Sequence, residues 1–477
     1  VLSWKVGGKN IAEIYSMTIT NAQRFFSDLA LPPQDGQVAR LIIDEISSRL
    51  QYLIDVGLGY LTLDRQSRTL SGGEVERVNL TTALGASLTN ALYILDEPSI
   101  RLHPRDNRRL MKILHKIKNN HNTVVVVDHD PEIISHCDYL VDLGPGAGEN
   151  GGTCLYFGPT QDLTTAAKTS LTAQYLIGQQ SIAVPSRRRP VTERAITIQG
   201  AREHNLKNID VPIPLDMLVC VTGPSGSGKS TLVEDILYRG LKRFRAIIEE
   251  KPGLHDGLKG ADQIDGVIFV DQRLIEGNLR ASPVTYIKIF DPIRKLFAQT
   301  PGSRSRGFTQ STFSFNMPGG RCEACEGKGF ERVEMQFLAD LSVLCPDCQG
   351  TRYRSDVLQA TYCGKNIAEV LALTVDEAQL FFSDVPKITR SLEILRSVGL
   401  GYLTLGQSLT TLSAGESQRL KLAGYLAGPR SGTMLFIFDE PTIGLHFHDI
   451  AILIKVLDRL VEEGHSVIVV EHNLEMI

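Results

Sequence analysis

Short apolar runs alternate along the chain with segments in which apolar residues recur every three or four positions. The runs are rich in valine, isoleucine and leucine, as buried parallel strands are; they lie at 91–95, 123–127, 218–222, 267–270, 435–438 and 466–470. Helical periodicity lies between them, at 107–118 and at 448–462. This alternation of strands and helices predicts an α/β fold with parallel sheets.

Six sequence blocks occur twice, in the same order and with similar spacing. The pairs are 8–13 with 364–369, 25–28 with 381–384, 56–63 with 398–405, 70–74 with 412–416, 95–98 with 438–441, and 128–129 with 471–472. The period is too long for a solenoid. The repeat predicts two homologous domains, at 1–160 and 193–477, joined by a linker at 161–192. We expect the basic triplet 187–189 in that linker to be solvated.

Composition limits the class of protein. The chain has 477 residues with a net charge of −4, so it is long enough for two to four domains. The balanced charge means that nucleic acid would need local basic patches. The sequence lacks both a secretory leader and a run of about 20 apolar residues, so we expect a cytoplasmic protein without a membrane span. It begins at Val1 and ends at Ile477 just after an apolar run, so we also expect a piece of a longer protein.

A phosphate loop is the strongest local motif. The segment G-P-S-G-S-G-K-S-T at 223–231 matches G-x-x-x-x-G-K-[ST] and lies between an apolar run and a helical pattern. Backbone N–H groups of such a loop surround phosphates, the lysine reaches the β- and γ-phosphates, and the serine holds Mg²⁺. The motif predicts a site for ATP and Mg²⁺ built from Gly223, Ser225, Gly226, Gly228, Lys229, Ser230 and Thr231.

An acidic pair follows an apolar run in each repeat. Asp439 ends the run at 435–438 and precedes Glu440, and Asp96 and Glu97 repeat this arrangement in the first copy. A carboxylate at the end of a strand can hold Mg²⁺, and the next one can polarise an attacking water. We therefore expect Asp439 to bind the cofactor and Glu440 to be catalytic.

Four of the eight cysteines form two C-x-x-C pairs. Nineteen residues separate Cys322 and Cys325 from Cys345 and Cys348, which is the spacing of a zinc ribbon. Four thiolates leave no open position on the metal, so the Zn²⁺ should be structural. The cysteines lie in an insertion at about 240–430 of the second copy. Four buried thiols or a redox pair are the alternatives.

Several segments carry a resemblance to a known family. L-S-G-G-E at 70–74 is similar to the signature motif of ABC ATPases. Within that superfamily, four runs resemble the UvrA family: G-A-R-E-H-N-L-K-N at 200–208, F-D-P-I-R at 290–294, F-S-F-N at 313–316, and G-G-R-C-E-A-C at 319–325. The likeness extends from about Gly7 to the end of the chain.

The resemblance implies two ABC-type P-loop ATPase domains, the first incomplete, with a helical signature subdomain and a zinc-ribbon insertion in the second. Two such domains clamp ATP head to tail, so the first copy's signature should face the second copy's phosphate loop. By the same resemblance, further residues contribute to ATP binding and hydrolysis: Ser71, Gly72 and Gly73 of the signature, Gln272 as the Q-loop glutamine, and His129 and His472 as switch histidines.

The resemblance also implies a function. It suggests an ATP-dependent damage-recognition subunit of nucleotide excision repair that binds double-stranded DNA, forms a homodimer, and hands the site to a helicase-like excinuclease B subunit through a region outside this chain. Ala414 and Arg101 depart from the family's glycines. Arg304, Arg306 and Arg321 are candidate phosphate contacts, with solvated arginines as the alternative. A drug-resistance paralogue, an ABC transporter ATPase and a non-catalytic remnant are the competing functions.

Overall fold

The structure is a computed structural model. It describes all residues except 1, 31–32, 71, 86–87, 101, 103, 147, 149–150, 225, 248–249, 272–274, 276–279, 334–340 and 429–431. Ser71, Ser225 and Gln272 of the predicted nucleotide site, and Arg101, lie outside the described residues.

The first copy is built on a parallel pair of strands, Leu92–Asp96 and Thr123–Val127, which pair from Leu92 opposite Thr123 to Asp96 opposite Val127. An antiparallel pair, Tyr139–Gly144 and Thr153–Pro159, follows. The described helices of this part are Ile11–Tyr15, Ile19–Ser27, Pro33–Asp55, Gly72–Gly85, Pro104–Asn119 and Pro131–His136, with a 3₁₀ turn at Ser67–Thr69.

The second copy has a larger sheet. Four parallel strands lie in the order Leu218–Val221, Ser466–Val470, Met434–Asp439 and Gly266–Val270. A three-stranded antiparallel sheet, in the order Ile209–Pro214, Ala195–Ala201 and Gly257–Lys259, covers one face. The two central strands, Ser466–Val470 and Met434–Asp439, carry apolar residues on both faces and are buried on both sides, as their apolar sequence predicts.

The two parallel sheets differ in how they are covered. Ile437 and Ile468 of the second copy are 0% and 1% exposed, because Ile196 and Ile236 pack in the same core cluster. The corresponding residues of the first copy, Ile94 and Val125, are 68% and 44% exposed. The first-copy sheet therefore presents an apolar face to solvent, made by alternate residues of its two strands.

Helices surround the second sheet and form its signature subdomain. Thr231–Tyr238 has π-type hydrogen bonding and continues as Arg239–Phe244. The other helices are Pro283–Tyr286, Phe290–Ala298, Pro301–Ser305, Ile367–Ala372, Val375–Phe381, Pro386–Ser397, Ala414–Ala427 and Phe447–Glu462, with 3₁₀ turns at Ala261–Gln263, Val357–Gln359 and Leu409–Thr411. Two small antiparallel pairs complete the insertion: Phe330–Val333 with Leu341–Leu344, and Thr361–Tyr362 with Lys365–Asn366.

The repeat determines local structure as well as sequence. Asn10 and Asn366 each begin a helix, and each accepts a hydrogen bond from the backbone of a glutamate three residues later, whose side chain bonds back. This capping box satisfies two backbone donors at the helix start. The same short helix is therefore specified twice by the same four-residue pattern.

The linker predicted at 161–192 is partly helical. Leu163–Ala166 and Leu171–Leu176 are short helices whose apolar residues pack against Leu140 and Tyr156 of the antiparallel pair. Residues 177–194 contain no helix or strand. Across the described residues, no helix is both long enough and apolar enough to cross a bilayer.

Candidate nucleotide site and cysteine cluster

The phosphate loop joins strand Leu218–Val221 to the helix that begins beside Lys229. Gly226 and Gly228 have φ of +76° and +102°, which side chains disfavour. A Cβ on Gly228 would lie 2.9 Å from Asn205 Oδ1, so the loop also needs a glycine there for space. Asn205 in turn donates from Nδ2 to the Gly226 carbonyl at 2.9 Å. These contacts fix the backbone conformation of the loop.

The side chain of Lys229 also bonds to the backbone of this loop. Its Nζ donates to the carbonyls of Gly223 and Pro224, at 3.0 and 3.1 Å. Burial lowers the pKa of Lys229, while the charges of Glu440 and then Asp439 act to raise it. The structure thus brings the lysine and the acidic pair together, although they are more than two hundred residues apart in sequence.

Glu440 follows strand Met434–Asp439 in a left-handed backbone conformation, with φ +46°. Its N–H donates to the Val470 carbonyl at 2.8 Å, which fixes this turn to the neighbouring strand. His472 Nε2 lies 3.4 Å from Glu440 Oε1, and the two side chains are 8% and 15% exposed. The Glu440 carboxylate and the His472 imidazole are therefore neighbours, and both are largely buried at the end of the sheet.

The first copy repeats this geometry in a more open setting. Glu97 has φ +45° and its N–H donates to the Val127 carbonyl at 2.7 Å. His129 Nε2 lies 3.8 Å from Glu97 Oε1, with 41% and 30% of the side chains exposed. Both copies therefore have the left-handed glutamate with its backbone hydrogen bond and its histidine neighbour. The pair in the first copy is more exposed to solvent.

The acidic residue before each histidine has a role that we did not predict. Glu471 accepts hydrogen bonds from Thr442 N and Oγ1 at 2.9 and 2.5 Å, and from His472 N at 2.7 Å. In the first copy, Asp128 accepts from Ser99 N and Oγ at 3.2 and 2.6 Å. Each carboxylate ties the loop after the acidic pair to the end of the strand that precedes the histidine, which is Ser466–Val470 or Thr123–Val127. The signal was an acid before histidine in both copies.

Both sets of residues line one cavity of about 220 Å³. The first copy contributes Glu97, Asp128 and His129, and the second contributes Glu440, Glu471 and His472. Burial raises the pKa of Glu471 and also that of Glu97. The carboxylates of the two copies thus meet at a shared centre.

The first copy's signature side also reaches the phosphate loop. A Cβ on Gly226 would lie 3.4 Å from Tyr60 Oη of the first copy. Tyr60 in turn hydrogen-bonds Glu74, in the first turn of helix Gly72–Gly85. Gly72 and Gly73 begin that helix, so the structure brings the first-copy signature helix beside the loop of the second copy.

The second signature helix is tied to its own sheet through residues that sequence reasoning missed. Gln418 Nε2 donates to the carbonyls of Asp439 and Val270 at 3.1 and 3.3 Å. Lys421 Nζ lies 2.5 Å from Asp271 Oδ1. A glutamine and a lysine on a helix carry no distinctive sequence signal, because either residue is common on a solvated face.

The four cysteines of the insertion form one buried cluster. All four Sγ atoms lie within 4.8 Å of one another, with Cys322–Cys345 at 4.0 Å and Cys325–Cys348 at 3.6 Å. A tetrahedral zinc with Zn–S of about 2.3 Å places its sulfurs about 3.8 Å apart. Gly329 N donates to Cys325 Sγ at 3.2 Å, as backbone amides do in zinc knuckles. The donor set fits Zn²⁺.

The candidate DNA contacts are placed unequally. Arg304 and Arg306 are exposed at the end of helix Pro301–Ser305, and Arg306 Nη2 donates to Gln359 Oε1 at 2.8 Å. The Arg321 side chain is 14% exposed, and its Nε lies 3.9 Å from a Glu323 carboxylate oxygen. Arg304 and Arg306 are therefore the more accessible pair.

The chain is similar to known proteins over its whole length. No protein-family model matches the chain. UvrABC system protein A of Staphylococcus aureus (strain COL) is 50% identical over 476 residues, and its Staphylococcus epidermidis (strain ATCC 35984) counterpart is 51% identical; each match covers all of this chain and 50% of the relative. The crystal structure of UvrA2 from Deinococcus radiodurans aligns with a TM-score of 0.89 at 41% identity, covering 99% of this chain and 58% of that one.

Proposed function

Because the chain belongs to the UvrA family of ABC ATPases, spanning about half the length of the curated relatives it matches, we propose that it hydrolyses ATP in the recognition of damaged DNA. The observation that best supports this proposal is that the Lys229 loop, the Glu440–His472 pair and the first-copy signature helix lie close together. These groups come from distant parts of the sequence, and they match the parts of an ATP-hydrolysing site.

The nucleotide site is composite. The loop from Gly223 to Thr231 would surround the phosphates of ATP, and the first-copy signature, Ser71, Gly72 and Gly73, would complete the site, as the family resemblance implies. The position of Tyr60 beside Gly226 supports this pairing. The N-terminal amides and positive dipole end of helix Gly72–Gly85 favour a phosphate there.

Each side chain of the site has a distinct task. When ATP binds, the Lys229 ammonium would leave the loop carbonyls and neutralise the charge of the β- and γ-phosphates. The sequence motif assigns Ser225 to the same phosphate-binding loop. Ser230 and Asp439 would hold Mg²⁺, and the family resemblance assigns Gln272 as the Q-loop glutamine. Glu440 polarises the attacking water, and His472 senses the γ-phosphate and steadies Glu440.

The cysteine cluster is a structural Zn²⁺ site. Cys322, Cys325, Cys345 and Cys348 are all buried, and they use all four tetrahedral positions. Zinc therefore shapes the surface around the insertion and takes no part in hydrolysis. Arg304 and Arg306 on that insertion contact the phosphates of duplex DNA.

The cellular role follows the family. The whole protein acts in the cytoplasm as a homodimer, surveys DNA for lesions, and passes the site to a helicase-like excinuclease B subunit. The second candidate role is that of a UvrA-like paralogue in drug resistance. Lesion preference separates the two roles, since a repair subunit must distinguish damaged from intact duplex.

The test measures ATP hydrolysis alone, with undamaged duplex, and with damaged duplex. We expect hydrolysis, and a rate that depends on damage. Glu440→Gln should bind ATP normally but lower the rate by about 100-fold or more, because only the group that polarises water is lost.

Glu97→Gln is the matched control. Glu97 has the same backbone and the same histidine contact, but the only G-x-x-x-x-G-K-[ST] motif in the chain belongs to the second copy. Its substitution should leave most of the rate. Equal rates for Glu440→Gln and the wild type would remove Glu440 from the catalytic role.

A further inference from the structure

Tyr60 lies in a turn that is fixed on both sides. Thr20 donates from N and Oγ1 to the Gly59 carbonyl, at 3.1 and 3.0 Å. The Tyr60 hydroxyl donates to Glu74, whose side chain is buried at 5% exposure. The position of the phenol is therefore linked to the start of helix Gly72–Gly85, which carries the first-copy signature.

The other side of Tyr60 faces the phosphate loop of the opposite copy, close enough that a side chain at Gly226 would touch it. A Cβ on Gly226 would lie 3.4, 3.7 and 3.8 Å from Oη, Cζ and Cε2 of Tyr60. Asn205 holds the Gly226 carbonyl from the far side at 2.9 Å. Tyr60 thus lies between the signature helix of one copy, to which it is hydrogen-bonded, and the phosphate loop of the other, which it faces.

The second copy contains the same tyrosine with a different neighbour. Tyr402 Oη donates to Glu416 Oε1 at 2.7 Å, as Tyr60 does to Glu74. Tyr402 faces Gly148, in a glycine-rich segment without a phosphate-loop motif. The hydrogen bond to the signature glutamate is therefore shared, and of the two tyrosines only Tyr60 lies beside the phosphate loop.

We propose that Tyr60 is a positioning residue of the composite ATP site, which sets the spacing between the first-copy signature helix and the second copy's phosphate loop. The inference rests on the proposed function, because it assigns this task within the same site. Burial and the hydrogen bond to Glu74 raise the pKa of Tyr60.

Hydrolysis and ATP binding by the full chain provide the first test. Tyr60→Phe keeps the ring and removes the hydrogen bond to Glu74, so the spacing relaxes. The KM for ATP and the Kd of a fluorescent ATP analogue should rise about five-fold, the effect of one ordinary hydrogen bond, with kcat changed less than about two-fold. Tyr402→Phe should leave KM and Kd near the wild-type values.

Two outcomes of that experiment would overturn the proposal. One is an unchanged KM and Kd for Tyr60→Phe. The other is an equal rise for both variants, which would assign the effect to the shared hydrogen bond and helix stability. Thermal unfolding of both variants checks that each remains folded.

Amide hydrogen exchange provides a second test that needs no nucleotide. Tyr60→Ala removes the ring and should increase exchange in residues 222–230, whereas Tyr402→Ala should increase exchange near residues 144–152 and not in the loop. Unchanged exchange at 222–230 in Tyr60→Ala would refute the placement of Tyr60 beside the loop and with it the proposal. A wild-type chain that binds no ATP would refute the proposed function instead, while the exchange comparison still decides that placement.

Discussion

Glu440 and Glu97 share a backbone conformation that is rare for a residue with a side chain. Positive φ in such residues costs on the order of 1–3 kcal/mol and persists where surrounding contacts impose it. Here the backbone hydrogen bonds to Val470 and Val127 impose it. The acidic pair could be predicted from the sequence because it recurs after each apolar run. The φ value could not, since it depends on bonds between strands that are distant in the chain.

His446 is a second residue whose role depends on tertiary contacts. It begins helix Phe447–Glu462, where its Nδ1 accepts from His448 N at 3.3 Å, so Nε2 carries the proton toward Thr172 Oγ1 at 3.1 Å. Burial lowers the pKa of His446, and nearby Asp449 acts in the opposite direction. The folded protein therefore favours the neutral ring, which alone can accept at the helix start.

The sign of the pH dependence follows from this lowered pKa. Above the ordinary His value of about 6.5, both the folded and unfolded states are neutral and the full stability is present. As pH falls below 6.5, the unfolded state takes up the proton first, so His446 lowers the free energy of unfolding. His446→Asn keeps a helix-capping acceptor without titrating.

We expect His446→Asn to lose less stability than the wild type between pH 7 and pH 5. Urea unfolding at the two pH values measures the difference. His448→Asn, at an exposed position two residues later, should keep the wild-type pH dependence. An equal loss of unfolding free energy between pH 7 and pH 5 in His446→Asn and in the wild type would show that His446 is not a source of the acid sensitivity.

At the scale of elements, the strands were the easiest to predict. The run at 466–470 is observed as Ser466–Val470, and the run at 435–438 lies within Met434–Asp439, because parallel strands buried in a sheet need continuous apolar sequence. The helices at 163–166 and 171–176 were missed, since each is too short to show a helical period. The π-type bonding at 231–238 was also missed, because it is a change of backbone register without a composition of its own.

The insertion around the four-cysteine cluster is the element whose stability should depend most on a few side chains. Cys345→Ser should abolish zinc binding and locally unfold the region around the knuckles, because structural zinc contributes about 10 kcal/mol or more in small modules. Metal analysis should give about one zinc for the wild-type chain and almost none for the variant. ATP binding should survive, since the cluster lies outside the phosphate loop.

Cys363→Ser serves as the control for that substitution. Cys363 is exposed and does not belong to the cluster. It should retain zinc at the wild-type level. A wild-type chain with almost no zinc and four reactive thiols in the insertion would contradict the assignment.

At the scale of the whole molecule, the repeat produces an asymmetric pair. Both copies have an acidic pair, a histidine and a signature helix, but only the second has the phosphate loop motif in this chain. The pairing of copies was predicted from the family resemblance. The shared cavity between the two acidic pairs was not, because no motif describes how two copies face each other.

This asymmetry predicts which signature matters. Ser71→Arg should block hydrolysis as fully as Lys229→Ala, by placing a bulky cation where the γ-phosphate binds. Ser413→Arg, the equivalent change in the second copy, should have little effect. Steady-state hydrolysis at several protein concentrations measures both. The reverse pattern, with a rate that rises with the square of concentration, would indicate two chains pairing through their second copies.

The surface of the insertion predicts how DNA binding depends on salt. Replacing Arg304 and Arg306 together with alanine should reduce the slope of log affinity against log salt by about 2, because each phosphate contact releases about one counterion. Fluorescence anisotropy with a labelled duplex gives the slope. Lys387→Ala, an exposed cation on another helix, is the control. An unchanged slope in the double variant would place the DNA surface elsewhere.

The open face of the first-copy sheet has a consequence for the behaviour of the chain in solution. Leu92, Ile94, Val125 and Val127 are each at least 44% exposed on a sheet of only two strands, so apolar side chains and unpaired strand edges occur together. Such surfaces favour self-association, since another chain can add a strand and bury the same residues.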